Sequence, residues 1–118
     1  MTMVAGFCCT DGIVLCADSQ ETLDGYLKVD TPKAEIRPEG KSKRKGLFAV
    51  FVGAGHGPLI DALIEEMWDA AERARGGMKN ASDAMKAANR KYHKELKEVF
   101  RDGDPEYPRA EIIYAAQF

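Results

Sequence analysis

The first eighteen residues have the pattern of a β-hairpin. Residues 3–9 are apolar or small, and residues 13–18 are Ile-Val-Leu-Cys-Ala-Asp. Thr10-Asp11-Gly12 lies between them, which predicts a three-residue loop with Gly12 at its left-handed position. The register that follows pairs Cys8 with Val14 and Val4 with Asp18. Because side chains alternate along a strand, one face of the hairpin is expected to carry Thr2, Val4, Gly6, Cys8, Val14, Cys16 and Asp18.

The rest of the chain predicts short strands followed by two helices. Strands are expected at residues 26–29, 34–37, 47–52 and 110–118, with residues 19–25 as a polar loop. After residue 56 the apolar period becomes that of a helix, which predicts one helix over 57–75, with Pro58 first, and another over 82–100, with Ser82 as its N-cap. The predicted fold class is α+β, with two helices covering an antiparallel sheet.

Length, charge and cysteine content narrow the class of protein. The chain has 118 residues, which suits a single domain, and its net charge of −2 does not favour a general nucleic-acid binder. The sequence contains no apolar run long enough to predict a membrane span, and the N-terminus lacks the basic residues of an export signal. Three cysteines are an odd number without zinc-site spacing, so we expect a reducing cytoplasm and no metal. The final strand ends at residue 118, which suggests a truncated domain.

Several short motifs occur in an informative order. A threonine near the N-terminus precedes Cys16-Ala17-Asp18-Ser19 and then Thr31-Pro32-Lys33. An apolar strand runs into Gly53-Ala54-Gly55-His56-Gly57, and a long helix beginning at Pro58 follows. Together these motifs resemble the proteasome β-type subunits, a family of N-terminal nucleophile hydrolases. The resemblance runs from Thr2 to about Phe100 and covers the N-terminal half of such a domain, which in this family is an αββα sandwich.

The resemblance implies a set of site residues. Thr2 would be the nucleophile, Asp18 the buried aspartate at the end of the second strand, and Gly53 or Gly55 the glycine whose amide contributes to the oxyanion hole. Ungapped counting places the family's lysine at Ala34, so either the 19–25 loop shifts the alignment to Lys33 or the lysine is missing.

The chemistry implied is that of a threonine-type endopeptidase. A threonine hydroxyl needs a base, and the α-amine of an N-terminal threonine can act as one, with a pKa of about 7.7–8 that a nearby lysine would lower. The scheme requires removal of Met1, which leaves Thr2 first in the chain. The resemblance further implies no cofactor, peptide or unfolded protein as substrate, a homo- or hetero-oligomeric ring, and an ATPase partner.

Other interpretations of the same residues stay open at this point. Asp18 could form an Asx-turn at the strand end, and the cysteines could fill the core or supply a nucleophile with His56. The glycine-rich stretch 53–57 lacks the ending of a phosphate-binding loop. The second function considered is a non-catalytic structural or interaction paralogue on the same fold.

Overall fold

The computed structural model describes residues 3–23, 27–30, 33–41, 45–100 and 110–117. The described part is an α+β fold in which every strand pairing is antiparallel. Its elements, in chain order, are β1 (Val4–Cys9), β2 (Gly12–Ala17), β3 (Gln20–Leu23), β4 (Leu27–Asp30), β5 (Ala34–Arg37), β6 (Phe48–Gly55), α1 (Gly57–Arg73), α2 (Met78–Val99) and β7 (Ala110–Gln117).

The N-terminal hairpin forms, but its predicted register is wrong by one residue. Cys8 pairs with Ile13 and Cys9 with Gly12, so the loop has two residues instead of three. Gly12 belongs to the strand and does not have the positive φ that a three-residue loop would require of it. A shift of one residue exchanges the faces of one strand relative to the other, so Cys8 and Cys16 lie on opposite faces.

The segment expected to be a polar loop contains a strand. β3 pairs antiparallel with β4, with Gln20 opposite Asp30 and Leu23 opposite Leu27. The sequence Gln-Glu-Thr-Leu alternates only weakly between polar and apolar residues, so its backbone pairing with β4 was not evident from its composition.

The main sheet has the strand order β5-β6-β7, with β6 in the centre. On β6, Ala49 and Phe51 are buried against the helices, and Tyr114 of β7 packs on the same core, with its ring centroid 5.9 Å from that of Phe51. The strand predicted at residues 47–52 is therefore β6, which begins at Phe48 and continues to Gly55.

The two helices cover one face of this sheet. α1 buries one stripe of residues along its length: Leu59, Leu63, Ile64, Met67, Trp68 and Ala71. α2 begins at Met78, four residues before the expected start, with Gly77 as its N-cap. Ser82, which we expected at the N-cap, lies inside the helix, where its hydroxyl is 3.2 Å from that of Tyr114. Within the described residues, neither helix combines the length and the hydrophobicity of a membrane span.

The hairpin β1–β2 packs on the other face of the sheet. A side-chain carbon added at Gly6 would lie 3.5 Å from Cγ2 of Ile113, a residue on the face of β7 opposite to Tyr114. The outer face of the hairpin carries the pair Phe7 and Val14, which are 57% and 50% exposed. The two helices, the sheet β5-β6-β7 and the hairpin β1–β2 thus form three layers.

Candidate functional site

Asp18 and Lys33 form an ion pair between two strand ends. Asp18 directly follows β2, Lys33 directly precedes β5, and Lys33 Nζ lies 2.7 Å from Asp18 Oδ1. The Lys33 side chain is 12% exposed and that of Asp18 is 35% exposed. Ala34 is the first residue of β5, where it pairs with Val52. Of the two positions that the sequence left open for the lysine, the one that contacts Asp18 is therefore Lys33.

The hydrogen bond from the Lys33 ammonium lowers the pKa of the Asp18 carboxyl. Partial burial acts in the opposite direction, because it disfavours the charged carboxylate, but the ammonium and its positive charge outweigh it. Asp18 is consequently ionised at neutral pH, and its carboxylate accepts the hydrogen bond from Lys33 Nζ.

The start of β1 is also fastened to Asp18. The backbone N–H of Asp18 donates a 3.1 Å hydrogen bond to the carbonyl oxygen of Met3, one residue after Thr2 in the sequence. Thr2 itself lies outside the described residues. Asp18 therefore lies beside Met3, the residue that directly precedes β1.

Gly53 links the ion pair to the central strand. Its backbone N–H donates a 3.3 Å hydrogen bond to the carbonyl oxygen of Lys33, which extends the β5–β6 ladder by one residue. A side-chain carbon at Gly53 would lie only 2.5 Å from Cγ2 of Ile60, the residue by which α1 approaches this strand. Gly53 thus has a packing role, and its amide already has a partner.

Gly55 is the second glycine of the motif. It ends β6 in an exposed position with φ at 121°, a conformation that favours glycine. His56 follows as the N-cap of α1, where its Nδ1 accepts a 3.4 Å hydrogen bond from the Leu59 N–H. The geometry therefore gives His56 a capping role.

The three cysteines are free and exposed, so the structure does not support the expectation that they fill the core. Within the described residues, no group of three or more His, Cys, Asp and Glu side chains is arranged to hold a metal ion.

Sequence reasoning missed an ion cluster around Arg37. This buried arginine contacts Glu35 at 2.7 Å, Glu39 at 3.0 Å and Glu65 of α1 at 2.5 Å. Burial raises the pKa of Glu35, although the charge of Arg37 opposes that rise. The sequence signal for this cluster is the alternation of charged residues at positions 33, 35 and 37. That alternation does not show that Glu65 of α1 is a further partner of Arg37.

Comparisons with protein-family models, with curated proteins and with solved structures yield no match for this chain.

Proposed function

We propose that this chain is a threonine peptidase subunit of the N-terminal nucleophile type, with Thr2 as the nucleophile once Met1 is removed. The observation that carries the proposal is the 2.7 Å ion pair between Asp18 and Lys33, next to the glycine-containing strand β6. The resemblance implies a lysine held in place by Asp18 and leaves open whether Lys33 is that lysine; the two residues are fifteen positions apart in the sequence. The αββα sandwich of that family is part of the same proposal.

In the proposed reaction the Thr2 hydroxyl attacks the carbonyl carbon of a peptide bond, and its proton passes to the Thr2 α-amine. The protonated amine then gives that proton to the departing peptide amine, which leaves an ester on Thr2. Water activated by the same α-amine hydrolyses the ester and restores the hydroxyl.

Lys33 supports this chemistry through its charge. An ammonium near the N-terminus lowers the pKa of the α-amine, so a larger fraction of that amine is unprotonated at neutral pH and available as a base. Asp18 fixes the position of Lys33 through the 2.7 Å ion pair, and it is therefore a positioning residue in this scheme.

The oxyanion donor is assigned to Gly55. The Gly53 amide donates to Lys33, which leaves it without a hydrogen for a ligand. Alternate residues of a strand direct their N–H groups toward the same neighbour, so the Gly55 amide lies on the same side of β6, two residues after the Gly53 amide that donates to Lys33. Removing one such donor costs about 10²–10³ in rate.

The proposal extends to assembly and location. The substrate is an unfolded protein or peptide, the active form is an oligomeric ring with an ATPase partner, and the compartment is the cytoplasm.

The test uses an epoxyketone, which adds to a residue carrying both a free α-amine and a hydroxyl. Intact mass first establishes that Met1 is absent, and one adduct on Thr2 is then expected, together with peptide hydrolysis. Thr2→Ala should abolish both, whereas Thr10→Ala, in the exposed hairpin turn, should change neither. Hydrolysis that persists in Thr2→Ala and stops on thiol alkylation would move the nucleophile to a cysteine. No adduct and no hydrolysis with Met1 absent would favour the non-catalytic paralogue.

A further inference from the structure

A cavity of about 290 Å³ lies between α1, α2 and β7. Its volume is at the lower end of the range for small-molecule pockets, about 300–1,000 Å³. None of the residues that line it belongs to the Asp18–Lys33 site, so the cavity is independent of the proposed peptidase chemistry.

The floor of the cavity is apolar. Leu63 and Met67 of α1 are 1% and 4% exposed, and Ile112 packs against the same core from β7. Their aliphatic and thioether atoms can pack against a hydrocarbon chain, but they offer no strong hydrogen bond to a polar group.

One wall of the cavity is polar. Lys86, Asn89 and His93 are spaced at i, i+3 and i+7, which places them on one face of α2. Among the described residues, none of these three side chains has a hydrogen-bond or ion-pair partner. The Tyr114 hydroxyl, which also lines the cavity, is already within 3.2 Å of Ser82. The α2 wall therefore carries polar groups that remain available to a ligand.

The charge of the α2 wall indicates which sign of ligand charge the cavity favours. Of the six lysines and arginines of α2, Lys86 is the one that lines the cavity. Glu111 of β7 also borders the cavity, but its side chain leaves the strand on the face opposite to that of Ile112, because side chains alternate along a strand. The polar wall thus favours an anion.

We propose that this cavity binds a short aliphatic carboxylate. The carboxylate accepts hydrogen bonds from Lys86 and Asn89, with His93 beside them, and the hydrocarbon chain lies on Leu63, Met67 and Ile112. This binding activity does not depend on Thr2.

The test compares three probes of equal chain length on the full chain: octanoate, octylamine and 1-octanol. Titration calorimetry should show saturable binding of octanoate, with the other two at least about tenfold weaker. Methyl resonances of Leu63, Met67 and Ile112 should shift with the same saturation curve. Comparable binding of all three probes, or methyl shifts that do not saturate, would overturn the proposal.

Matched variants test the polar wall. Lys86→Met should weaken octanoate binding about tenfold, whereas Lys91→Met, which removes the same charge from an exposed position of α2 outside the cavity, should change it less than about twofold. Circular dichroism should show both variants folded, because neither residue is buried. Equal affinities of the two variants would exclude a specific contact at Lys86 and refute the proposed site.

Discussion

The backbone N–H of Gly53 donates a hydrogen bond to the carbonyl of Lys33, whose ammonium contacts Asp18. One lysine therefore joins the central sheet, through its backbone, to the end of the N-terminal hairpin, through its side chain. Because both connections meet at Lys33, a change at this residue affects the alignment of two layers as well as the local charge.

Among the residues that the structure describes, Lys33 provides the most direct test of the peptidase proposal. We expect Lys33→Met to lower kcat at least about 100-fold, because the α-amine of Thr2 would lose the charge that makes it an effective base at neutral pH. Lys33→Arg should retain more of the activity, since it keeps the charge. The readout is the pH profile of kcat: in Lys33→Met the apparent pKa of the base should rise. An unchanged profile would mean that Lys33 has only a structural role.

The Asp18–Lys33 pair should make stability depend on pH in the acid range. The folded-state pKa of Asp18 is lowered, so the pair stabilises the fold above the ordinary carboxyl pKa of about 3.9 and loses that contribution as pH falls through the lower, folded value. The free energy of unfolding should therefore exceed that of Asp18→Asn at pH 7, and the two should converge on acidification. Urea melts between pH 7 and pH 2 measure this difference. A difference that does not shrink toward pH 2 would contradict the assignment.

Gly53→Ala should destabilise the protein by about 1–3 kcal/mol, because the added carbon would overlap Ile60. Backbone strain does not contribute, since Gly53 is not among the described glycines with positive φ. The double variant with Ile60→Ala should lose less stability than the sum of the single variants. Strictly additive losses in denaturant melts would show that the two residues do not press on each other.

The residues of the ion cluster around Arg37 should contribute unequally to the free energy of unfolding. Arg37→Met removes a side chain that is 8% exposed and has three carboxylate partners, so a loss of at least about 2 kcal/mol is expected. Glu39 is 76% exposed, and Glu39→Gln should cost less than about 0.5 kcal/mol. Thermal unfolding of the two variants provides the comparison, and equal losses would contradict it.

All three thiols should react with a water-soluble disulfide reagent in the native protein. Cys8, Cys9 and Cys16 are free and exposed, and Cys8 lies on the hairpin face opposite to Cys16. A spectrophotometric titration should therefore count three fast thiols without denaturant. Peptidase activity should survive milder alkylation, because the proposed nucleophile is a hydroxyl. Fewer than three fast thiols would indicate that part of the hairpin is covered.

Local pattern predicted the elements better than their alignment. The strand at residues 34–37 was predicted between two prolines and the strand at 47–52 from its apolar run, and the structure has strands at Ala34–Arg37 and Phe48–Gly55. The hairpin register depended on one loop residue, Gly12, and a two-residue loop shifted every pairing by one. Whether Lys33 or Ala34 lies next to Asp18 depends on the path of the chain between residues 18 and 33. The pattern of apolar and polar residues does not determine that path. The ion pair of Arg37 with Glu65 likewise required the packing of α1 against β5.

The hairpin packs one face on the sheet and leaves Phe7 and Val14 uncovered on the other. Since these two side chains are largely hydrated in the folded chain, replacing them with polar residues removes little buried contact and should cost little folding free energy. The same replacement removes the kind of apolar surface that limits solubility. In this hairpin, solubility and folding stability can therefore be adjusted separately, through substitutions on opposite faces of the same two strands.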